Sequence, residues 1–263
     1  MQTFLMDNSI SQVAMILKKA EKILFITGAG LSADSGLPTY RGVGGLYDDK
    51  HTDEGIPIEE ALSGEMLERR PEITWKYLWQ IGSACSGKKF NRGHEVIALI
   101  EEMKPGTWVL TQNIDGFHRT AGSKNLIEVH GNASELYCVN CNFETSSECF
   151  LSGYGSEIQL PPKCPECKGL IRPNVVLFGE MLPERALKQM SMLETMKIDA
   201  VLSVGTSVVF PYISRPVMIA RQAGVPTVEI NPSDTGLSDI VDFRIKAGAA
   251  ETLNSIWNEI NSN

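Results

Sequence analysis

The chain contains two identical Cys-x-x-Cys pairs, Cys138 with Cys141 and Cys164 with Cys167. Two thiolates separated by two residues bind one metal ion from a single tight turn, and a second such turn completes a tetrahedron. Four sulfur ligands leave no open coordination position, so a zinc ion held in this way stabilises a fold and does not activate water. Two disulfides or four unrelated thiols are the alternative. The pairs therefore predict one structural zinc ion in a small module, and they place the chemistry elsewhere.

Composition narrows the class of protein. With 263 residues, of which 43% are apolar and 21% charged, the chain has the usage of a globular protein with one large or two modest domains. The amino terminus has no basic lead-in, and no apolar run approaches the length that spans a bilayer. We therefore expect a cytoplasmic protein without a membrane partner. That compartment favours reduced thiols, and hence zinc over disulfides.

The net charge of -8 disfavours a specific nucleic-acid partner and is compatible with a protein partner that is rich in lysine. Nothing in the sequence decides the oligomeric state, and a monomer is compatible with it.

Short apolar runs alternate with helical stretches along most of the chain. The runs predict buried strands, and several are continuous, as expected of parallel strands that are covered on both faces. They lie at residues 23–26, 108–110, 126–129, 175–178, 200–204 and 227–230. Helices are predicted at 95–103, 184–196, 212–222 and 249–260, and a capping box of Ser9 with Gln12 predicts a further helix before the first run. The alternation predicts an α/β fold with a doubly wound parallel sheet.

Two segments interrupt this alternation, and they predict a second, smaller lobe within one catalytic unit of residues 1–263. We assign residues 1–41, 91–135 and 173–263 to the large domain. The small lobe takes residues 42–90, which are glycine-rich and then helical, and the cysteine segment 136–172.

Polar residues and glycines follow the predicted strands where each one ends. These clusters are Thr27 to Gly30, Thr111 to Asp115, His130-Gly131, Phe178-Gly179-Glu180, Gly205-Thr206-Ser207 and Asn231-Pro232. In an open parallel sheet, ligands bind at the carboxyl ends of the strands. The six clusters are therefore expected to line one crevice.

The first cluster matches the dinucleotide fingerprint as Gly28-x-Gly30-x-x-Ala33, directly after a strand. A tight glycine turn without a ligand is the alternative. The acid that usually binds the adenosine ribose, about twenty residues further on, has no strand before it here. Ser207 and Asn231, at later strand ends, are chemically suitable for that ribose.

These motifs, in this order, resemble the sirtuin family. The similarity is carried by the stretch GAGLSADSGLPTYR at residues 28–41, by the later strand-end clusters and by the intervening cysteine pairs, and it extends from about residue 9 to residue 257. It implies an NAD-dependent protein lysine deacylase. The implied fold is a Rossmann-type large domain with a smaller lobe made of a zinc-binding module and a helical insertion.

The resemblance also implies a role for each matching residue. Gly28, Ala29, Gly30 and Ser32 are expected at the phosphates, Tyr40 and Arg41 in a loop over the nicotinamide ribose, Gln112 and Asn113 at that ribose, and Asp115 at the nicotinamide amide. Gly205, Thr206, Ser207, Asn231 and Ala249 are expected to hold the adenosine end. An extended acyl-lysine peptide is expected as an added strand beside the loop at Phe178 and Gly179, with Val176 and Phe178 lining the tunnel for the acyl-lysine.

The implied reaction moves the acyl group from lysine to ADP-ribose as nicotinamide leaves. His130 and Asn113 are the implied catalytic residues, with His130 as general base. Imidazole suits that role because its ordinary pKa of about 6.5 leaves a large neutral fraction at physiological pH. The other histidines, His51, His94 and His118, are interpreted as structural.

Three other functions stay open from the sequence. A nicotinamide dehydrogenase shares the glycine turn but needs neither an Asn-x-Asp pair nor a zinc module. Mono-ADP-ribosyl transfer uses the same NAD site with a protein nucleophile. A binding module without turnover has no need of His130.

Acyl selectivity rests on one departure from the resemblance. Sirtuins that prefer succinyl or malonyl lysine carry a Tyr-x-x-Arg pair in the small lobe, and the corresponding place here reads Tyr77-Leu78-Trp79-Gln80. A neutral amide does not balance a carboxylate, and residues three apart share a helix face. We therefore expect Tyr77 and Gln80 to face the acyl pocket and acetyl-lysine to be preferred over succinyl-lysine.

Overall fold

The computed structural model describes residues 2–39, 52–152 and 159–262. The strands in these residues are β1 Ile23–Thr27, β2 Trp108–Thr111, β3 Leu126–Glu128, β4 Gly131–Cys138, β5 Glu144–Ser146, β6 Ile171–Val175, β7 Ala200–Val204, β8 Thr227–Ile230 and β9 Phe243–Ile245. The helices are α1 Gln2–Lys19, α2 Ala29–Ala33, α3 Ile58–Ala61, α4 Gly64–Arg69, α5 Pro71–Cys85, α6 Arg92–Met103, α7 Phe117–Ala121, α8 Ser147–Ser152, α9 Glu184–Thr195, α10 Pro211–Gln222 and α11 Ala249–Asn261.

Six strands form one sheet in the order β3-β2-β1-β7-β8-β9, and all neighbouring pairs are parallel. This is the strand order of the Rossmann fold, and it confirms the predicted doubly wound sheet. The order reverses between β1 and β7, because the chain leaves β1 toward one edge and returns to β7 to build the other. A crevice is expected at that point of reversal.

Helices cover both faces of this sheet. On one face, Leu17, Ile97 and Leu253 from α1, α6 and α11 pack with strand residues into one fully buried core. On the other face, Leu193 from α9 and Ile213 and Val217 from α10 form the second core. All five residues of β1 are buried, and each large apolar side chain contributes about 1.5–3 kcal/mol when it is fully buried. The continuous apolar runs in the sequence follow from this double cover.

A second, antiparallel sheet has the order β5-β4-β6. Its apolar face packs against α4 and α5 through Leu67 and Trp75, and the Trp75 indole donates a hydrogen bond to the Ile171 carbonyl, 2.8 Å away. The prediction of a strand at residues 175–178 of the parallel sheet is wrong. β6 ends at Val175 and pairs with β4 in the antiparallel sheet, so this run does not continue as a strand of the parallel sheet.

Two further differences concern the ends of the chain. Helix α1 begins at Gln2, so Ser9 lies within it and the predicted capping box is wrong, whereas the helix itself is confirmed. Strand β9 was not predicted, because a run of three residues carries little periodic signal.

The boundaries of the two lobes stay a prediction. Among the described residues, no helix combines the length and the apolar character that a membrane span requires.

A buried histidine pair lies behind β1 and β2. The rings of His94 and His118 are 4.9 Å apart, and both residues are almost completely buried. Nε2 of His118 lies 2.8 Å from the Thr27 hydroxyl, and Nδ1 of His94 accepts a hydrogen bond from the Asn91 backbone N–H. These contacts fit the structural role predicted for both histidines.

Burial disfavours the charged imidazole, and it lowers the pKa of His94 to about 4 and that of His118 well below its ordinary value. In the unfolded chain both histidines titrate near 6.5. Between pH 6.5 and 4 the unfolded state therefore binds more protons, so stability falls as the pH falls. We predict that the free energy of unfolding decreases across this window in urea titrations. His94→Gln should flatten the slope, and an equal slope in that variant would contradict the assignment.

Candidate active site

A cleft of about 670 Å³ opens where the strand order reverses. The predicted site residues that line it are Gly28, Ala29, Gly30, Gln112, Asn113, His130, Val176, Phe178, Gly179, Gly205, Thr206, Ser207 and Asn231. The carboxyl ends of β1, β2, β3, β7 and β8 all contribute to it. The sequence clusters that follow these strands therefore do meet in one crevice.

The backbone of the first glycine turn touches the loop after β7. The Gly30 N–H donates to the Gly205 carbonyl at 2.8 Å, and the Gly28 N–H donates to the Val204 carbonyl at 3.1 Å. A Cβ on Gly30 would lie 2.7 Å from Gly205 Cα, and one on Gly205, whose φ is +61°, would lie 2.4 Å from the Leu31 nitrogen. No side chain other than hydrogen fits this contact. The contact leaves Gly28, Ala29 and Gly30 lining the cleft without bulky side chains, so a pyrophosphate can approach the backbone at the start of α2 closely.

A hydrogen-bonded chain of polar side chains lies behind this turn. The Asn113 amide donates to the Gly28 carbonyl at 3.0 Å and to the Ser32 hydroxyl at 3.1 Å, and Ser32 donates to the Asp115 carboxylate at 2.7 Å. The Phe117 N–H also donates to Asp115. Burial raises the pKa of the Asp115 carboxyl, against the opposing effect of these donors. Ser32 and Asp115 stand behind the cleft wall in this arrangement, while Asn113 reaches the wall itself.

The His130 imidazole sits at the junction of β3 and β4. The chain leaves the parallel sheet at this point, and Gly131 makes the turn with a φ of +79°. A Cβ on Gly131 would lie 2.0 Å from the Asn174 carbonyl oxygen of β6. Nδ1 of His130 lies 3.0 Å from the Gln112 carbonyl, and its Nε2 lies 2.8 Å from the Tyr212 hydroxyl. Burial lowers the pKa of His130, which keeps the ring neutral and basic at physiological pH. Tyr212 was missed in the sequence, since a tyrosine in the first turn of a helix carries no signal of its own.

The end of the cleft at which the sequence predicts the adenosine is built by the loops after β7 and β8. The Asn231 amide donates to the Thr206 carbonyl at 3.1 Å, and Gln112 donates to the Thr206 hydroxyl at 2.6 Å. Ser207 lines the cleft beside them. Ala249 is buried at the start of α11, and its neighbour Gly248 reaches the cleft instead. Tyr40 and Arg41 lie outside the described residues.

The wall of the cleft on the side of the small lobe is apolar. It is formed by other residues of α5 than the predicted Tyr77 and Gln80. Leu62, Leu78 and Ile81 line the cleft with Phe178. Tyr77 does not line it, because its ring is buried and its hydroxyl is bonded to Glu54. Gln80 is exposed. The structure thus turns the Leu78 and Ile81 face of α5, and not the Tyr77 and Gln80 face, toward the cleft.

The loop that carries Phe178 is held by the connection between α3 and α4 and by β6. The Phe178 N–H donates to the Leu62 carbonyl and its own carbonyl accepts from the Gly64 N–H, both at 3.0 Å. Glu180 forms a bidentate ion pair with Arg172 of β6, at 2.7 and 2.9 Å, and also accepts from the Leu177 N–H at 2.8 Å. These contacts fix Phe178, an apolar residue that lines the same cleft as His130.

Comparisons with known proteins agree with this geometry. A profile of the Sir2 family, the sirtuins, matches residues 28–211. The chain is 52% identical over 254 residues to NAD-dependent protein deacylase 2 of Pseudomonas aeruginosa, covering 95% of this chain and 97% of that protein. The chain belongs to the Sir2 family. This confirms the resemblance drawn from the sequence motifs.

More distant members of the Sir2 family share the same extent. The NAD-dependent protein deacylase of Pyrococcus furiosus is 39% identical over 254 residues, 95% of this chain and 98% of that protein. A solved Sir2 homolog–NAD complex matches with a TM-score of 0.80 at 32% identity, covering 95% of this chain and 93% of that chain. A solved Sir2–p53 peptide–NAD⁺ structure matches with a TM-score of 0.79 at 30% identity, covering 94% and 97%.

The four paired cysteines of this Sir2 chain form one cluster in the small sheet. Cys138, Cys141, Cys164 and Cys167 bring their Sγ atoms within 4.8 Å of one another. The Cys138 and Cys167 sulfurs are 3.4 Å apart, and those of Cys141 and Cys164 are 3.7 Å apart. Ligands at about 2.3 Å from a tetrahedral zinc ion are about 3.8 Å from each other. The cluster therefore fits a closed structural zinc site, and it does not line the cleft.

We predict one zinc ion per chain, because a closed four-thiolate site contributes its binding free energy directly to folding. Removal of the metal with a chelator should lower the melting temperature, and Cys164→Ser should reproduce that loss because Cys164 is fully buried. Elemental analysis and thermal melts measure both effects. Folded, active protein without zinc would contradict the prediction.

Proposed function

We propose that this chain is an NAD-dependent protein lysine deacylase that transfers the acyl group from lysine to ADP-ribose and releases nicotinamide. The observation that carries the proposal is the position of His130. This base faces a cleft that has a glycine-lined nucleotide cradle at one end and an apolar wall at the other. The deacylase names of the Pseudomonas and Pyrococcus relatives support the same activity.

The described residues fit NAD as co-substrate. The Gly28, Gly30 and Gly205 backbone provides the close approach that a pyrophosphate needs, and Gln112 and Asn113 lie between that cradle and His130. NAD supplies an electrophilic ribose carbon, from which nicotinamide departs, and ribose hydroxyls. In this proposal Asn113 orients the nicotinamide ribose, because its amide is held by Gly28 and Ser32.

His130 has the properties of the general base for this reaction. Its Nδ1 must donate to the Gln112 carbonyl, because a carbonyl oxygen only accepts, so the lone pair is on Nε2. Tyr212, the partner of Nε2, also lines the cleft, so in this proposal Nε2 is the nitrogen that takes a proton from a ribose hydroxyl. The Gln112 carbonyl then stabilises the imidazolium by keeping its bond to the Nδ1 proton, which is the effect that partly offsets burial in the pKa of His130.

The substrate is an acylated lysine side chain whose acyl group is neutral and apolar. Leu78 and Ile81 form the acyl side of the cleft together with Leu62 and Phe178. An unpaired carboxylate at this wall would lose its hydration without a compensating charge. Acetyl-lysine, or another uncharged acyl-lysine, is therefore the substrate class we propose. The helix face that selects it carries Leu78 and Ile81, and not Tyr77 and Gln80 as the sequence predicted.

Location and assembly remain inferences from the sequence. We infer a cytoplasmic protein without nucleic-acid or membrane partners, on the grounds of its charge and of the four clustered thiols. A monomer is compatible with a cleft that the described residues of one chain enclose.

One set of experiments tests both the reaction and its base. Incubation of acetyl-, succinyl- and long-chain-acyl-lysine peptides with NAD should yield deacylated peptide, nicotinamide and O-acyl-ADP-ribose by mass spectrometry. His130→Ala should slow deacylation about 100- to 10,000-fold, the span of a positioned general base, while NAD binding survives. Reduced cofactor, or ADP-ribose retained on protein as the main product, would favour a dehydrogenase or a mono-ADP-ribosyltransferase. Wild-type turnover by His130→Ala would contradict the role of the base.

The second prediction concerns acyl selectivity. Ile81→Arg should raise the ratio of kcat/KM for succinyl-lysine to that for acetyl-lysine about tenfold or more, because a charge-assisted hydrogen bond is then available to the carboxylate. Gln80→Arg is the matched control, since Gln80 is the neighbouring residue of the same helix and is exposed. An equal effect of the two substitutions, or efficient desuccinylation by the unmodified protein, would contradict the assigned face.

A further inference from the structure

The nitrogen that the reaction needs is already occupied by a protein group. The Tyr212 hydroxyl lies 2.8 Å from Nε2 of His130, and Nδ1 is bonded to the Gln112 carbonyl at 3.0 Å. Since the Nδ1 proton fixes the tautomer, Nε2 is the acceptor and the Tyr212 O–H is the donor. The lone pair that must take the proton of a ribose hydroxyl therefore points at Tyr212.

Tyr212 is held in this place by its own neighbours. Pro211 begins α10 at the first helical position, which fixes the backbone just before Tyr212. The Phe210 ring stacks on the Tyr212 ring at 5.3 Å with 12° between their planes. Both rings stand edge-on to His130, at 5.8 and 6.1 Å. The position of the Tyr212 hydroxyl is thus supported by the Phe210 ring and by the start of α10.

The loop before α10, residues 206–210, contains a strained residue and is linked to His130 at both of its ends. Val208 has a φ of +55°, a conformation that is strained for a β-branched residue. Its N–H is bonded to the Thr206 hydroxyl, which also accepts a hydrogen bond from Gln112. Gln112 in turn accepts from Nδ1 of His130. The start of the loop is therefore connected to His130 by hydrogen bonds through Gln112, and its end is connected to His130 by the hydroxyl of Tyr212.

We propose that Tyr212 is a positioning residue whose hydroxyl caps Nε2 of His130, and that this hydroxyl leaves Nε2 when a ribose hydroxyl of the co-substrate takes its place. The exchange replaces one O–H···N hydrogen bond with another and breaks no covalent bond. The proton of the ribose hydroxyl then passes to Nε2. The inference rests on the proposed function for the identity of the incoming hydroxyl, and the strain at Val208 favours the movement of the loop.

The pKa shifts of Tyr212 and His130 are consistent with a tyrosine hydroxyl that donates to Nε2 at physiological pH. Burial raises the pKa of Tyr212 to about 12, so its hydroxyl keeps its proton. Burial lowers the pKa of His130, and a donor on Nε2 further favours the neutral ring. Among the side-chain contacts described for His130, those with Gln112 and Phe210 are uncharged, and Tyr212 is the titratable group.

Tyr212→Phe tests the cap, because it removes the hydroxyl and keeps the ring stack. Histidine NMR titration of the zinc-loaded full chain, with His130→Ala to assign the signal, should show a higher pKa for His130 in Tyr212→Phe. In single turnovers with NAD and acetyl-lysine peptide, the step after nicotinamide release should accelerate about two- to tenfold, the usual worth of one hydrogen bond. Nicotinamide exchange, which precedes the base, should not change. Tyr137→Phe, on β4, is the matched control and should behave like the wild type.

Three outcomes would overturn the proposal. An unchanged His130 titration would show that the hydroxyl does not bind Nε2 in solution. A slower second step would show that the hydroxyl acts in the transition state, as a proton relay does. An unchanged second step would show that the base is not capped before it reacts. If the wild-type chain does not deacylate at all, the proposed function fails, and the NMR titration still decides whether Tyr212 caps His130.

Discussion

The contact on which the rest of the site depends is the one between the Gly28–Gly30 turn and Gly205. It joins the ends of the two central strands, β1 and β7, through backbone hydrogen bonds at 2.8 and 3.1 Å, with no side chain between them. The absence of a Cβ at Gly30 and Gly205 brings the first turn of α2 against the loop after β7. That approach joins the two strand ends into one glycine-lined cradle that side chains do not fill. It also fixes Asn113, whose amide donates to the Gly28 carbonyl.

The loop that carries Phe178 is positioned by the second sheet, and in the proposed function this loop forms part of the acyl side of the cleft, which explains why a zinc module lies beside it. Strand β6 carries Arg172, whose bidentate ion pair with Glu180 shapes the turn that presents Phe178. The same strand pairs with β4, and β4 begins one residue after His130. His130 and the Phe178 loop therefore adjoin the same sheet, and the four-cysteine cluster lies beside the opposite end of β4. A structural metal in this position stabilises the geometry of the site without touching it.

The sequence predicted the sheet and most of the site because each strand end carries its own short motif. Glycines and polar residues after buried runs are local signals, and the strand order brings them together. The acyl wall was harder to predict. One residue along a helix rotates the side chain by about 100°, so Tyr77 and Leu78 face different neighbours, and packing in the small lobe decides between them. The cap on His130 was also out of reach, because the Tyr212 contact joins residues 82 positions apart.

The most direct measurement of the central claim is calorimetric titration of NAD into Gly30→Ala. Because a Cβ there would lie 2.7 Å from Gly205 Cα, the turn and the loop must separate, and the cradle is lost. The account predicts that binding weakens at least about tenfold while circular dichroism and zinc content stay those of the wild type, a loss of about 1.4 kcal/mol. Gly82→Ala, where nothing lies within 4 Å of the added Cβ, should bind normally. Wild-type affinity in folded Gly30→Ala would contradict the account.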